Sequence, residues 1–452
     1  MSKNTQKKLY IKTWGCQMNV YDSNRMVDIL SPLGYKQVDE PTDADMVILN
    51  TCHIREKATD KVFSELGRLR DLQSKKKEQG HKMLLAVAGC VAQAEGDFIM
   101  QRAPYVDMVF GPQTYHELPE MVIKATGERI VNTDMPTDSK FDKLPQATTN
   151  QGPTAFLSIQ EGCDKFCTFC VVPYTRGAEY SRSTQEIVDE AKRLADTGAR
   201  EITLLGQNVN AFHGTGPDGS TWTLGRLIAA VAEVNGIERI RYSTSHPRDM
   251  DQELIDAHKD IPECMPFLHL PVQSGSDKIL KLMNRKHGRE RYFQIIEDVR
   301  KARPDIAISS DFIIGFPGET EQDFEDTMDM VRRVEFSSAY SFTYSPRPGT
   351  PAANMQQQLH KNIKTERLIA LQKLLTVQQE KFNANTIGRN VSVLFDRIGR
   401  QENQYLGRSE YNQAVHVKSD ENLMGQMHTV NVKTSTQSSL GAELIPAKAR
   451  AA

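Results

Sequence analysis

The residues best suited to chemistry are cysteines, and three of the seven stand in one short segment, EGCDKFCTFCVV: Cys163, Cys167 and Cys170. Their C-x3-C-x2-C spacing brings three thiolates to one locus, enough to hold three irons of a 4Fe–4S cluster and leave the fourth iron without a protein ligand. Such an open iron can chelate the amino and carboxylate groups of a small molecule. Ferredoxin runs space their cysteines differently; there every iron is capped and the cluster only carries electrons. The competing reading is a structural zinc site, which needs four ligands. Asp164 or a distant histidine could be the fourth, but no second CxxC or HxxxH lies nearby.

Three further cysteines, Cys16, Cys52 and Cys90, each follow an apolar β-type run. Taken singly, each reads as a small buried thiol, the usual fate of a free cysteine. Taken together they occupy equivalent positions, because the ends of parallel strands form one edge of a sheet, where ligands bind. Cys264, just ahead of the apolar run in PECMPFLHL, reads as structural.

The elements that must position these thiols are legible in the hydrophobic pattern. Strands are expected over 8–14, 46–50, 83–88 and 106–110, alternating with helices over 23–33, 57–73, 95–102 and 117–126. This alternation is that of a doubly wound α/β sheet over residues 1–132. Residues 133–153, polar and without periodicity, read as a linker. A second β/α series fills 154–382, with strands at 155–160, 201–205, 239–243, 266–270, 307–314 and 337–344 and a closing helix over 361–382. Six β/α units suggest an incomplete version of the eight-stranded barrel, a partial (β/α)6 barrel whose working end lies where strands finish. Residues 383–449 change to short alternating runs broken by Gly and Asn, the pattern of a small antiparallel β-barrel.

Composition bounds the setting. The chain has 452 residues, too many for one ordinary core, with 39% hydrophobic and 25% charged residues. Its net charge of −2 excludes a uniformly basic nucleic-acid coat and leaves room for local patches. The first sixteen residues are basic but lack the apolar run of a signal peptide, and no stretch reaches the ~18 apolar residues of a membrane span. A cytoplasmic enzyme with no membrane partner is expected, and in that reducing compartment the cysteines are not a disulfide framework.

The C-x3-C-x2-C motif, with the aromatic Phe169 before its last cysteine, resembles the radical-SAM superfamily. That resemblance implies that the open iron binds S-adenosylmethionine (SAM), which one-electron reduction cleaves to methionine and a 5′-deoxyadenosyl radical. It further implies SAM contacts from Gly206 and Gln207 in LLGQNVN, from Gln273 and Ser274 near the ribose, and from Asp311 and Ile313 in ISSDFIIGFPGET along the adenine. Read without the resemblance, Gly315–Glu319 is an ordinary turn before a helix. The N-terminal segments TWGCQMN, NTCHIREKA and VAGCVAQ resemble the methylthiotransferases, in which the three cysteines hold a second 4Fe–4S cluster, also with an open iron. Two clusters suit the reaction: one starts C–H cleavage and the other presents sulfur, methylated by a second SAM.

The resemblance covers nearly the whole chain and makes the tail a TRAM-type RNA-binding barrel. VVPYTRGAEYSR, LLGQNVNAF and RYSTSHPRD are most similar to the branch that methylthiolates C2 of N6-isopentenyladenosine beside the tRNA anticodon. Other branches act on threonylcarbamoyl-adenosine in tRNA or on a ribosomal-protein aspartate. A rival of another class is an RNA-binding metalloprotein without catalysis. Arg176 and Arg182 follow the cluster motif and suit SAM's carboxylate, an RNA phosphate or an ordinary surface ion pair. Residues 382–452 carry an excess of two positive charges, and Arg397, Arg400 and Arg408 form a candidate phosphate patch or a merely solvated face. Tyr405 and Phe395 suit either base stacking or the barrel core. Implied partners are tRNA, an electron donor such as flavodoxin or ferredoxin, and Fe–S assembly proteins; a monomer is expected.

Overall fold

A computed structural model describes residues 6–53, 58–136 and 138–445. The chain divides into two compact units. The first comprises Met1–Thr149, Glu161–Asp164 and Val171–Arg182; the second comprises Asn150–Gln160, Lys165–Cys170 and Ser183–Ala452.

The first unit is built on a parallel sheet of β1 (Lys7–Trp14), β2 (Tyr35–Gln37), β3 (Met46–Thr51), β4 (Leu84–Gly89), β5 (Met108–Phe110) and β6 (Ile130–Asn132). Its strand order is β2-β1-β3-β4-β5-β6, with every pairing parallel. The two central strands, β3 and β4, are buried along their whole length, which is why they read as unbroken apolar runs. Alternate residues serve opposite faces. Met46, Ile48, Ala86 and Ala88 pack with Met26, Leu30, Leu118 and Met121 of helices α1 (Gln17–Leu30) and α4 (Leu118–Lys124). Val47, Leu49, Leu85 and Val87 pack with Val62, Leu66, Val91 and Ile99 of α2 (Ala58–Glu78) and α3 (Cys90–Arg102). The expected doubly wound domain is present.

Several boundaries differ from expectation. The edge strands β2 and β6, three residues each, are too short to show alternation. Helix α1 begins at Gln17, six residues earlier than expected, because Cys16 and Asn19 form a reciprocal cap. Helix α3 begins at Cys90; a non-helical backbone at Glu95 breaks its periodicity there. The described residues of the segment read as a linker belong to the first unit through Thr149, with a 3-10 turn at Lys140–Lys143 that buries Lys140 and Phe141. Lys57, expected to start a helix, and the tail's Lys448 and Arg450 lie outside the described residues.

The second unit contains six parallel strands in chain order. β7 (Thr154–Ser158), β8 (Glu201–Leu205) and β9 (Arg239–Tyr242) form one run, and β10 (Phe267–His269), β11 (Ala307–Ile314) and β12 (Ser338–Thr343) the other. A parallel bridge between Ile240 and Cys264 joins the runs, giving the expected partial barrel around one core that extends from Ala155 to Leu375. After helix α5 (Lys361–Ala384) come β13 (Asn390–Ile398), β14 (Gln404–Ser409), β15 (Ala414–Lys418), β16 (Met427–Ser435) and β17 (Leu440–Leu444), closed in the order β13-β14-β15-β17-β16. The expectation of an antiparallel barrel holds for every pair except β15 and β17, which run parallel. Arg239 and Arg241 of β9 donate to the carbonyls of Ser392, Arg408, Ser409 and Glu410, fixing this barrel to the strand beneath it. No described helix is long and apolar enough to cross a membrane.

Candidate active site: two cysteine triads

In the first sheet the chain direction of winding reverses between β1 and β3, and open α/β sheets bind ligands in the crevice at such a switch point. Cys16 and Cys52 follow the ends of those two strands, and Cys90 follows the next, β4. Three thiols separated by dozens of residues thus reach one edge. Glycines permit the approach. Gly15 has φ of +131° and a Cβ there would lie 2.4 Å from the Cys52 Cβ; Gly89 has φ of +86° and a Cβ there would lie 2.4 Å from Asn50 Oδ1. Buried amides pin the strand ends: the Cys16 thiol donates to Asn19 Oδ1 (3.2 Å), Asn19 donates to Asn50 Oδ1 (3.1 Å), and Asn50 donates to Ser23 Oγ (2.9 Å).

Cys52 stands between the other two. Hydrogen bonds with Cys16 and Cys90 push its thiol up, and the same bonds hold both neighbours below the usual thiol range, with the nearby Arg176 charge helping against burial. No three His, Cys, Asp or Glu side chains among the described residues converge tightly enough for a single metal ion. The donor set, three thiols backed by a buried cation, fits a cubane that needs thiolate ligands and spaces them more widely.

Arg176, expected at a SAM carboxylate, an RNA phosphate or an ordinary surface ion pair, is 3% exposed and ion-paired in the interior of the first unit. Its guanidinium meets Asp22 Oδ2 at 2.7 Å and Glu161 Oε1 at 2.5 Å and hydrogen-bonds to Cys90. Lys140 meets Glu161 at 2.7 Å and donates to the Pro112 carbonyl at 2.8 Å. Against burial, which raises it, Lys140 and Arg176 hold the Glu161 carboxyl below the usual carboxylate range. Arg182, also buried, lies over the Phe141 ring at 4.7 Å.

The C-x3-C-x2-C segment begins in the first unit, which holds Cys163, and continues in the second, which holds Cys167 and Cys170. The loop carrying the latter two is anchored on residues 282–284: Thr168 N–H donates to the Met283 carbonyl (3.1 Å), and the Asn284 amide donates to the carbonyls of Lys165 and Phe166. Arg285 Nη1 donates to Cys167 Sγ at 3.6 Å and Nη2 to the Pro271 carbonyl. No carboxylate is paired with Arg285 among the described residues. Burial and then the Arg285 charge keep His246 and His287 neutral, the latter pushed down to about 4.

Of the residues expected around SAM, Gly206, Gln207, Gln273 and Ser274 lie beyond strand ends and Asp311 and Ile313 within a strand. Gly206 and Gln207 follow β8; the Gln207 and Asn208 N–H groups both donate to Gln160 Oε1. Asp311 and Ile313 lie on β11, bridged by Gln273, whose N–H donates to the Asp311 carbonyl and whose carbonyl accepts from Ile313. Gln273 has a left-handed backbone, φ of +79°, and its buried Oε1 has no hydrogen-bond partner in the described structure. Ser274 is buried against Thr327. Phe169 and Ile313 pack on one apolar cluster with Met283, Phe316 and Tyr344. In the C-terminal barrel Arg397 and Arg400 are exposed, Arg408 is half-buried and bonded to the Asn412 carbonyl, and Phe395 is core with Tyr405 packed against it. Sequence reasoning missed Asp22, Lys140, Glu161 and Arg285. Only Glu161 carried a signal, its place two residues ahead of Cys163.

Comparison with known proteins agrees with this layout. The radical SAM superfamily model matches residues 157–331, and the model described as uncharacterized protein family UPF0004 matches residues 8–111. The radical S-adenosylmethionine methyltransferase TsrM from Kitasatospora setae superposes with a TM-score of 0.58 at 12% identity, over 77% of this chain and 74% of that one. The cobalamin-dependent S-adenosylmethionine radical enzyme OxsB gives 0.54 at 13% identity, over 82% and 56%; these two likenesses concern the fold alone. A tRNA-2-methylthio-N(6)-dimethylallyladenosine synthase from Maricaulis maris is 57% identical over 99% of both chains. A likeness of that depth and extent, joined to three thiols at the strand ends of the first sheet and a C-x3-C-x2-C loop, places the chain in the tRNA-2-methylthio-N6-dimethylallyladenosine synthase family of radical-SAM methylthiotransferases.

Proposed function

We propose that this chain replaces the C2 hydrogen of N6-isopentenyladenosine beside the anticodon of tRNA with a methylthio group, whose methyl comes from one SAM and whose sulfur is held on the protein, the hydrogen leaving in 5′-deoxyadenosine formed from a second SAM. The observation that carries this reading is the convergence of Cys16, Cys52 and Cys90 at a switch point, in a chain that also bears Cys163, Cys167 and Cys170. Cys163, Cys167 and Cys170 would hold one 4Fe–4S cluster and Cys16, Cys52 and Cys90 another; when bound, the first with SAM supplies one-electron C–H activation and the second supplies sulfur. Arg285 would steady Cys167 and offset negative charge on its sulfur. Gly206, Gln207, Gln273, Ser274, Asp311, Ile313 and Phe169 would line SAM, with the orphan Gln273 Oε1 available to a ribose hydroxyl. Arg397 and Arg400, with Arg408 beneath them, would meet tRNA phosphates. The enzyme would work in the cytoplasm with a flavodoxin- or ferredoxin-class donor and depend on Fe–S assembly proteins.

Anaerobic reconstitution with prenylated tRNA tests the reading. Expected are about eight irons per chain, 5′-deoxyadenosine, and 2-methylthio-N6-isopentenyladenosine among the digested nucleosides. Zinc without SAM cleavage, or modification of a ribosomal peptide with no effect on tRNA, would refute it.

A further inference from the structure

Resting on the two-cluster reading, we propose that Arg176 is a positioning residue that ties Cys90 of the auxiliary triad to the segment carrying Cys163, both within the first unit. Its guanidinium bonds the Cys90 thiol, and the residue after it, Gly177, accepts the Cys163 N–H through its carbonyl at 3.3 Å. One ligand of each triad is therefore held by adjacent residues. The remaining guanidinium contacts go to Asp22, on the helix that Cys16 begins, and to Glu161, two residues ahead of Cys163. Arg176 is thus fastened at both ends, once to each triad's supporting segment, and Gln113 Nε2 donates to its carbonyl at 2.6 Å.

Packing does not require an arginine here. A buried cation between two carboxylates costs desolvation that apolar residues of similar volume avoid, so such pairs are weak sources of stability. What the planar fork provides is fixed geometry toward three acceptors at once, which lysine cannot reproduce. The charge ledger points the same way. Arg176 and Lys140 balance Asp22 and Glu161, so the network is neutral, and the Arg176 guanidinium brings its charge and a hydrogen bond to the Cys90 thiol. Hydrogen bonds to ligand sulfurs and local charge set the reduction potential of Fe–S clusters. The same residue therefore fastens Cys90 to the Cys163 segment within the first unit and tunes the cluster built on Cys90.

The test uses Arg176→Met/Glu161→Gln, which removes one charge of each sign and strands no carboxylate, beside Arg176→Lys. In a Cys163→Ala/Cys167→Ala/Cys170→Ala background, EPR-monitored titration reads the auxiliary cluster alone. We expect about four irons per chain to persist, with the reduction equilibrium of the double variant shifted tenfold or more toward the oxidised form, about 59 mV for one electron. Arg176→Lys should restore part of that shift. In the otherwise native chain, the ratio of methylthiolated nucleoside to 5′-deoxyadenosine should fall at least tenfold while 5′-deoxyadenosine formation persists. An unchanged potential and ratio would overturn the proposal, as would loss of both products in step. A parent chain that binds only about four irons would instead refute the two-cluster reading itself.

Discussion

The two triads solve one chemical problem by opposite means. Cys163, Cys167 and Cys170 fall within eight residues, whereas Cys16, Cys52 and Cys90 span 75. A loop can present the first set with little else folded. The second set meets only when β1, β3 and β4 are in register, so its iron affinity is coupled to the folding of the sheet. Each triad has a buried arginine against one sulfur, yet the surroundings differ. Arg176 is neutralised by Asp22 and Glu161, while Arg285 has a carbonyl and two neutral histidines for company. The auxiliary site is backed by a charge-balanced network, whereas the arginine beside Cys167 in the loop site has no carboxylate paired with it among the described residues.

The largest effects should divide along this line. Cys167→Ala is expected to reduce 5′-deoxyadenosine formation to the uncatalysed background and to abolish methylthiolation with it, as read by chromatography of the anaerobic reaction. Cys52→Ala should keep SAM cleavage and remove only sulfur transfer, with iron falling from about eight to about four per chain. Equal loss of both activities in Cys52→Ala would erase the distinction between the triads.

Next in size are the arginines. Removing Arg176 alone leaves two buried carboxylates with only Lys140 between them, and breaking such a pair costs about 3–5 kcal/mol. Removing Arg285 strands no carboxylate. Arg176→Met should therefore lower the thermal midpoint sharply and Arg285→Met should leave it near that of the parent, measured on cluster-free protein by calorimetry. Arg285→Met should instead slow 5′-deoxyadenosine formation by about tenfold, through loss of the N–H to Cys167 Sγ. A similar loss of midpoint in both variants would show that the charge balance around the triads does not distinguish them.

The contrast also explains what the sequence could disclose. Local spacing exposed the loop triad at once, and the post-strand position of Cys16, Cys52 and Cys90 exposed the other, because β3 and β4 are buried on both faces and read as continuous apolar runs. The six barrel strands were legible for the same reason. The network behind the auxiliary triad was not. Asp22 and Arg176 are 154 residues apart, and nothing local pairs them. Lys140 lies in a polar stretch without period, and lysine is among the residues least often buried, so its place in the interior had no signature. Arg176 itself was noticed, but a cation after a cluster motif suggests anionic ligands, and only tertiary structure reveals that two carboxylates already occupy it. The edge strands β2 and β6 and the parallel pairing of β15 with β17 depend on neighbours far away in the chain, which period counting does not reach.

The seventh cysteine supplies the smallest effect and the sharpest control. Cys264 is as buried as Cys90, yet it sits where the two strand runs of the barrel meet, 3.6 Å from His258 Nδ1, and shares no edge with either triad. Burial pushes its thiol up to about 12, with Arg303 and Arg241 opposing, so at neutral pH it stays protonated. A folded-state value raised above the ordinary 9.0 means that its contribution to stability is complete below about pH 9 and drains as pH climbs toward 12. Cys264→Ala should therefore leave iron, sulfide and both products at parental levels, cost about 1–2 kcal/mol of stability at pH 7, and flatten the alkaline limb of the stability curve. Chemical denaturation across pH 7 to 11 with iron analysis reads all of these. A fall in bound iron in this variant would mean that a thiol outside both triads takes part in cluster binding.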